Sequence, residues 1–68
     1  MYYFDYETVA RSAGIPADKM EQLVKLFTLE EPCDAMLAEL HLLRACMAIK
    51  SGRLTLEAAL NEARRLAA

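Results

Sequence analysis

The chain has 68 residues, 56% of them hydrophobic, and a net charge of −2. That length holds one domain at most, and folding at this size removes only about 60% of the unfolded surface from water. A lone core is therefore marginal, and association is the simplest way to shelter the apolar excess. Glu39, His41 and Arg44 interrupt the richest apolar stretch well short of the ~20 residues that a membrane span needs.

The first six residues, Met-Tyr-Tyr-Phe-Asp-Tyr, place no basic segment before an apolar one, so no signal peptide is expected. A complete, soluble, cytoplasmic protein forming a single helical domain over 1–68 is the expectation. Residues 1–5 form an aromatic N-terminal arm. Tyr2, Tyr3 and Phe4 in this arm either pack across a partner or lid the chain's own core, because aromatic rings carry a large hydrophobic payload wherever they can bury it.

A first helix is predicted from about Asp5 to Ala13, with Asp5 as N-cap and Tyr6, Val9, Ala10 and Ala13 on one face. Gly14 stops it. Pro16 suits the first turn of a second helix, in which Met20, Leu23, Val24 and Phe27 repeat the helical spacing and Lys19, Glu21, Gln22 and Lys25 take the wet side. That helix fades near Leu29, since Pro32 disfavours a helical Glu31. Pro32 then opens a third helix, with Asp34 favourable near its positive end, running to about Ser51 and stopping at Gly52. Thr55 caps a fourth, whose Leu56, Ala59, Leu60, Ala63 and Leu66 or Ala67 form one stripe. Leu54, just before that cap, is placed to staple against Ala59. The fold class is all-α: a compact bundle of four short helices around a long central third one.

The third helix carries the most information. At 100° per residue, Ala35, Ala38, Leu42, Ala45, Cys46 and Ile49 fall on one broad side, while Met36, Leu40, Leu43 and Met47 line another. Polar residues occupy only the seams between them. An ordinary surface helix has one apolar stripe and one wet face, so two apolar faces imply two coverings. The alanines and the cysteine let a neighbouring helix of the same chain approach closely. The Met–Leu ridge is left for a second copy, and the expected homodimer interface is Met36, Leu40, Leu43 and Met47 with Tyr2, Tyr3 and Phe4. Burying two leucines and two methionines at ~1.5–3 kcal/mol each offers roughly 6–12 kcal/mol per chain. The cost of association to be offset is ~4–15 kcal/mol.

Reaction chemistry is scarce. His41 has no second metal ligand among its neighbours along the helix, and neither cysteine projects toward it, so no metal site and no cofactor are expected. Cys33 and Cys46, read as lying on one helix, would be roughly 20 Å apart and remain reduced. Cys33 has no histidine placed to act as its base. Glu30 and Glu31 read as a solvated loop. Gly14 and Gly52 build no phosphate loop, and no enzyme is expected.

Charge is unevenly spread. Through Glu39 the chain carries eight acidic and three basic residues, and from Leu40 onward two acidic and five basic. Solvated helix faces account for this most simply, since exposed charge pairs are weak.

Tyr6 to Leu23, YETVARSAGIPADKMEQL, resembles a helix-turn-helix unit, with Ala10 at the small position, Gly14 at the turn, and Ile15, Met20 and Leu23 at core positions. The resemblance implies that the helix from Pro16 enters the major groove of DNA, with Lys19, Gln22 and Lys25 as contacts. The residue chemistry points elsewhere: Asp18 and Glu21 cancel Lys19 and Lys25, that helix has no arginine to read guanine, and only its Gln22 suits adenine. The preferred expectation is a homodimeric regulator, adaptor or inhibitor that meets a protein target through Asp18, Glu21, Glu30 and Glu31. A small DNA-binding transcription regulator is the alternative.

Overall fold

In the computed structural model, which describes residues 3–67, the chain forms four α-helices: α1 Tyr6–Ser12, α2 Ala17–Glu30, α3 Ala35–Lys50 and α4 Leu56–Ala67. The expectation for Tyr2 lies outside the described residues, as does that for the Ala67 side chain.

Each boundary has a local cause. Asp5 caps α1 by accepting from Thr8 N–H at 3.3 Å, and its other oxygen accepts from the Thr8 hydroxyl at 2.8 Å. α1 then ends at Gly14, φ +75°, where Ile15 N–H donates to Ala10 C=O at 3.1 Å and Gly14 N–H to Arg11 C=O at 3.0 Å. This paired arrangement is a Schellman stop, and it recurs at the end of α3. There Gly52, at φ +80°, donates to Ile49 C=O at 3.1 Å, and Arg53 N–H donates to Ala48 C=O at 3.0 Å. Thr55 Oγ1 accepts from Ala58 N–H at 3.1 Å and opens α4.

Two boundaries differ from the sequence reading. Pro16 precedes the first turn of α2 rather than entering it, in extended conformation, with its carbonyl accepting from Met20 N–H at 2.9 Å. Pro32 lies in the turn before α3, not in the helix, because Asp34 is the cap: its carboxylate accepts from Leu37 N–H at 3.0 Å. A carboxylate that satisfies an orphan N–H fixes the start more firmly than a proline, which only tolerates it.

α2 packs against both α3 and α4, and α1 packs against α3. Each helix sends residues to one core: Tyr6 and Ala10 from α1, Leu23 from α2, Leu42 and Cys46 from α3, Ala59 and Leu60 from α4, with Ile15 from the first turn. Leu54 and Leu56 close the α4 end of that core. The radius of gyration of 10.8 Å matches the ~11 Å expected of 68 compactly folded residues. No described helix is long and apolar enough to cross a membrane.

Candidate interaction surface

α3 has one buried side and one that is largely open to solvent. Ala38, Leu42 and Cys46 from its small-residue side are buried, and Ala45 and Ile49 half-buried; Ala35, in the first turn, is exposed. Burial pushes the Cys46 thiol up from its ordinary 9.0 to about 11, because the thiolate would have to leave water.

On the opposite ridge, Met36 and Met47 are 52% and 50% exposed, and Leu40 is half-buried. Leu43 is also half-buried and packs against the chain's own core. Hence the ridge is divided. Three of its four residues stand over solvent to differing degrees, and the fourth already supports the monomer.

The aromatic arm reaches the same helix. Glu39 Oε1 accepts from the backbone N–H groups of Tyr3 at 2.7 Å and Phe4 at 3.1 Å. Charge-assisted bonds of this kind are among the stronger ones available to a side chain. They bring Phe4 to a half-buried position and leave Tyr3 54% exposed. Met36 and Leu43 lie three before and four after Glu39, one helical turn either way, so the tethered arm borders the ridge. On the helical wheel Glu39 falls in a polar seam, and nothing local in the sequence signals this contact.

The four acidic residues of the expected target surface separate into two pairs. Asp18 and Glu21 are exposed near the start of α2, and Glu21 lies 3.6 Å from Lys25 Nζ in an exposed pair. Glu30 and Glu31 lie at the other end, about 18 Å along the helix from Asp18. They are not the solvated loop expected: Glu30 is the last residue of α2, both are half-buried, and Glu30 Oε2 is fully buried without a hydrogen-bond partner. One carboxylate oxygen from each and a ring nitrogen of half-buried His41 all lie within 4.8 Å of one another. Reading the neighbours of His41 along its own helix missed this group, because its companions come from the end of α2, across the turn. The one available signal was the shortness of that turn, which returns the chain beside α2.

Of the expected DNA contacts, Lys25 is exposed beside Glu21 and Lys19 is half-buried. Gln22 is engaged from α4, its Oε1 accepting from Arg64 Nη2 at 3.3 Å. The exposed residues of α2 thus include Asp18, Glu21 and Lys25, then Thr28 and Leu29.

Three further features escaped the sequence. Leu29 and Leu66 are 65% and 50% exposed, so the α4 stripe loses its last leucine to solvent. A cleft of about 500 Å³ opens between α1 and α2, floored by Tyr6, Ala10, Ile15, Met20 and Val24 and rimmed by Glu7, Arg11 and Glu21. Cys33 is exposed in the turn before α3 rather than on the helix, and both cysteines are free.

Fold and surface together define an all-helical bundle that presents an apolar ridge beside a tethered aromatic arm. No protein-family model, curated protein or solved structure matches this chain.

Proposed function

We propose that this chain is a small non-enzymatic interaction protein that pairs with its own copy and acts on a protein target as a regulator, adaptor or inhibitor. The observation that carries the reading is the exposure of Met36 and Met47 on one line of α3, with the exposed Tyr3 ring on the arm beside it. The two methionines are eleven residues apart, three turns, which makes a ridge about 16 Å long. Contiguous apolar surface of this kind marks association sites, and methionine adapts its shape to what it meets.

The magnitudes set the strength of pairing. Met36, Leu40, Met47 and Tyr3 are already part-covered, so sealing them contributes about half of the ~1.5–3 kcal/mol for full burial, or roughly 6–12 kcal/mol over two chains. Against a cost of ~4–15 kcal/mol, that supports a reversible dimer, not a permanent one. A target then meets the cleft between α1 and α2 and the acidic residues Asp18 and Glu21 at the start of α2. The same acidic residues repel phosphates, and Gln22 is occupied by Arg64, so duplex DNA is the weaker candidate.

Sedimentation of the wild-type chain against the double variant Met36→Lys, Met47→Lys tests the pairing. Both side chains stand in solvent, so the variant keeps its helices, whereas a charge at Leu43 would also disturb the monomer's core. Wild type is expected to show concentration-dependent dimer, and the variant monomer with unchanged circular dichroism. A wild type that stays monomeric up to about 1 mM, where only ~4 kcal/mol of association is required, sinks the proposal. So does a variant that dimerises as before.

A further inference from the structure

We propose that Glu30, Glu31 and His41 form a binding site for a divalent transition-metal ion, with zinc as the best-matched cation. The site joins the end of α2 to the second turn of α3. Two carboxylates and one imidazole present donor atoms that all lie within 4.8 Å of one another. Donors bound to zinc at about 2.0–2.2 Å in a tetrahedron sit roughly 3.3–3.6 Å apart. The gap between these figures is a rotamer adjustment for two long glutamate side chains, with no movement of the helices.

The donor chemistry narrows the choice of ion. An imidazole among the ligands favours zinc and its neighbours over magnesium or calcium, which take oxygen alone. Neutralising two adjacent carboxylates also suits a divalent charge.

A second observation points the same way. Glu30 Oε2 is fully buried with no hydrogen-bond partner, although buried polar atoms are nearly always satisfied. A cation supplies the partner that the chain does not. Glu30 and His41 also line a cleft of about 270 Å³ walled by Phe27, Leu54 and Leu66, which leaves room for water to complete the coordination shell. Arg44 lines the cleft too, but is exposed, so solvent screens its charge. This inference is independent of the dimer, because Met36 and Met47 are not among the donors.

The test is calorimetric titration of zinc chloride into the full-length chain carrying Cys33→Ser, which removes the exposed thiol as a competing ligand, after treatment with chelator. One zinc per chain is expected, with no uptake of magnesium at the same concentrations. Glu30→Gln and His41→Gln, each in that background, are expected to weaken zinc binding on the order of tenfold or more with helicity unchanged. Absence of zinc binding up to about 1 mM, or its loss on Cys33→Ser alone, overturns the site. Undiminished binding in either the Glu30 or the His41 variant does so as well.

Discussion

Cys46 and Cys33 have the same side chain and opposite chemistry. Cys46 is 0% exposed, and burial raises its thiol to about 11, while Cys33 stands in solvent. A thiol-specific reagent is expected to modify Cys33 at once and Cys46 only as fast as the chain unfolds, a difference that stopped-flow absorbance resolves. The stability consequence has a definite sign. The unfolded thiol ionises near 9.0 and the folded one near 11, so its contribution is complete below pH 9 and declines as pH rises from 9 to 11. The loss across that window is about 2–3 kcal/mol. Urea titrations of wild type and Cys46→Ala at several alkaline pH values would show it as a steeper decline in the wild type. Glu39 makes a second expectation at this scale. Its replacement by alanine should accelerate amide hydrogen exchange at Tyr3 and Phe4 while leaving the centre of α3 protected, because both of those amides bond to that carboxylate.

At the scale of elements, the stops and caps make separable predictions. A Cβ placed on Gly14 or Gly52 would meet no atom within 4 Å, so any penalty there comes from the positive φ alone. L-alanine at either position is expected to lower stability by about 1–2 kcal/mol. D-alanine, introduced by chemical synthesis, should keep or raise it, since it accepts the left-handed conformation and restricts the unfolded chain. Likewise, Asp34→Ala should cost about 1 kcal/mol. Pro32→Ala should cost much less, because Pro32 lies outside the helix. Thermal melts rank all six variants.

These same elements show what the sequence could and could not reveal. Asp5, Gly14, Gly52 and Thr55 act through bonds to residues at most five positions away, so their meaning is local and readable. Pro32 and Asp34 offered two legitimate starts to one helix, and only the bond to Leu37 N–H decides between them. Leu43 and Met47 share a face on the helical wheel, yet one packs on the core and the other does not, because that depends on where α1 and α2 lie. Glu30, Glu31 and His41 escaped for a similar reason. Donors drawn from two elements have no characteristic spacing until the turn between them is known.

For the molecule as a whole, the proposed pairing raises the question of which force would hold two copies together. The acidic front and basic back of the chain would attract across an interface, and that attraction fades as salt rises. The ridge is apolar, and the ion pairs Glu21–Lys25 and Glu62–Arg65 each join neighbours on a single helix. Dimerisation is therefore expected to change by no more than about twofold between ~50 mM and ~500 mM sodium chloride. A steep weakening over that range, measured by sedimentation, would move the interface away from Met36 and Met47 and onto the charged halves.

A helix that is greasy on two sides poses a further problem for the monomer, since hydrophobicity alone hardly dictates which side rolls inward. Two restraints select the rotational setting of α3. Ala38 and Cys46 are slim enough to nest against neighbours where a methionine would prop them apart, and Glu39 pulls on the backbone of the arm from one fixed azimuth. Uniqueness of packing in this protein thus depends on steric thinness and a polar leash.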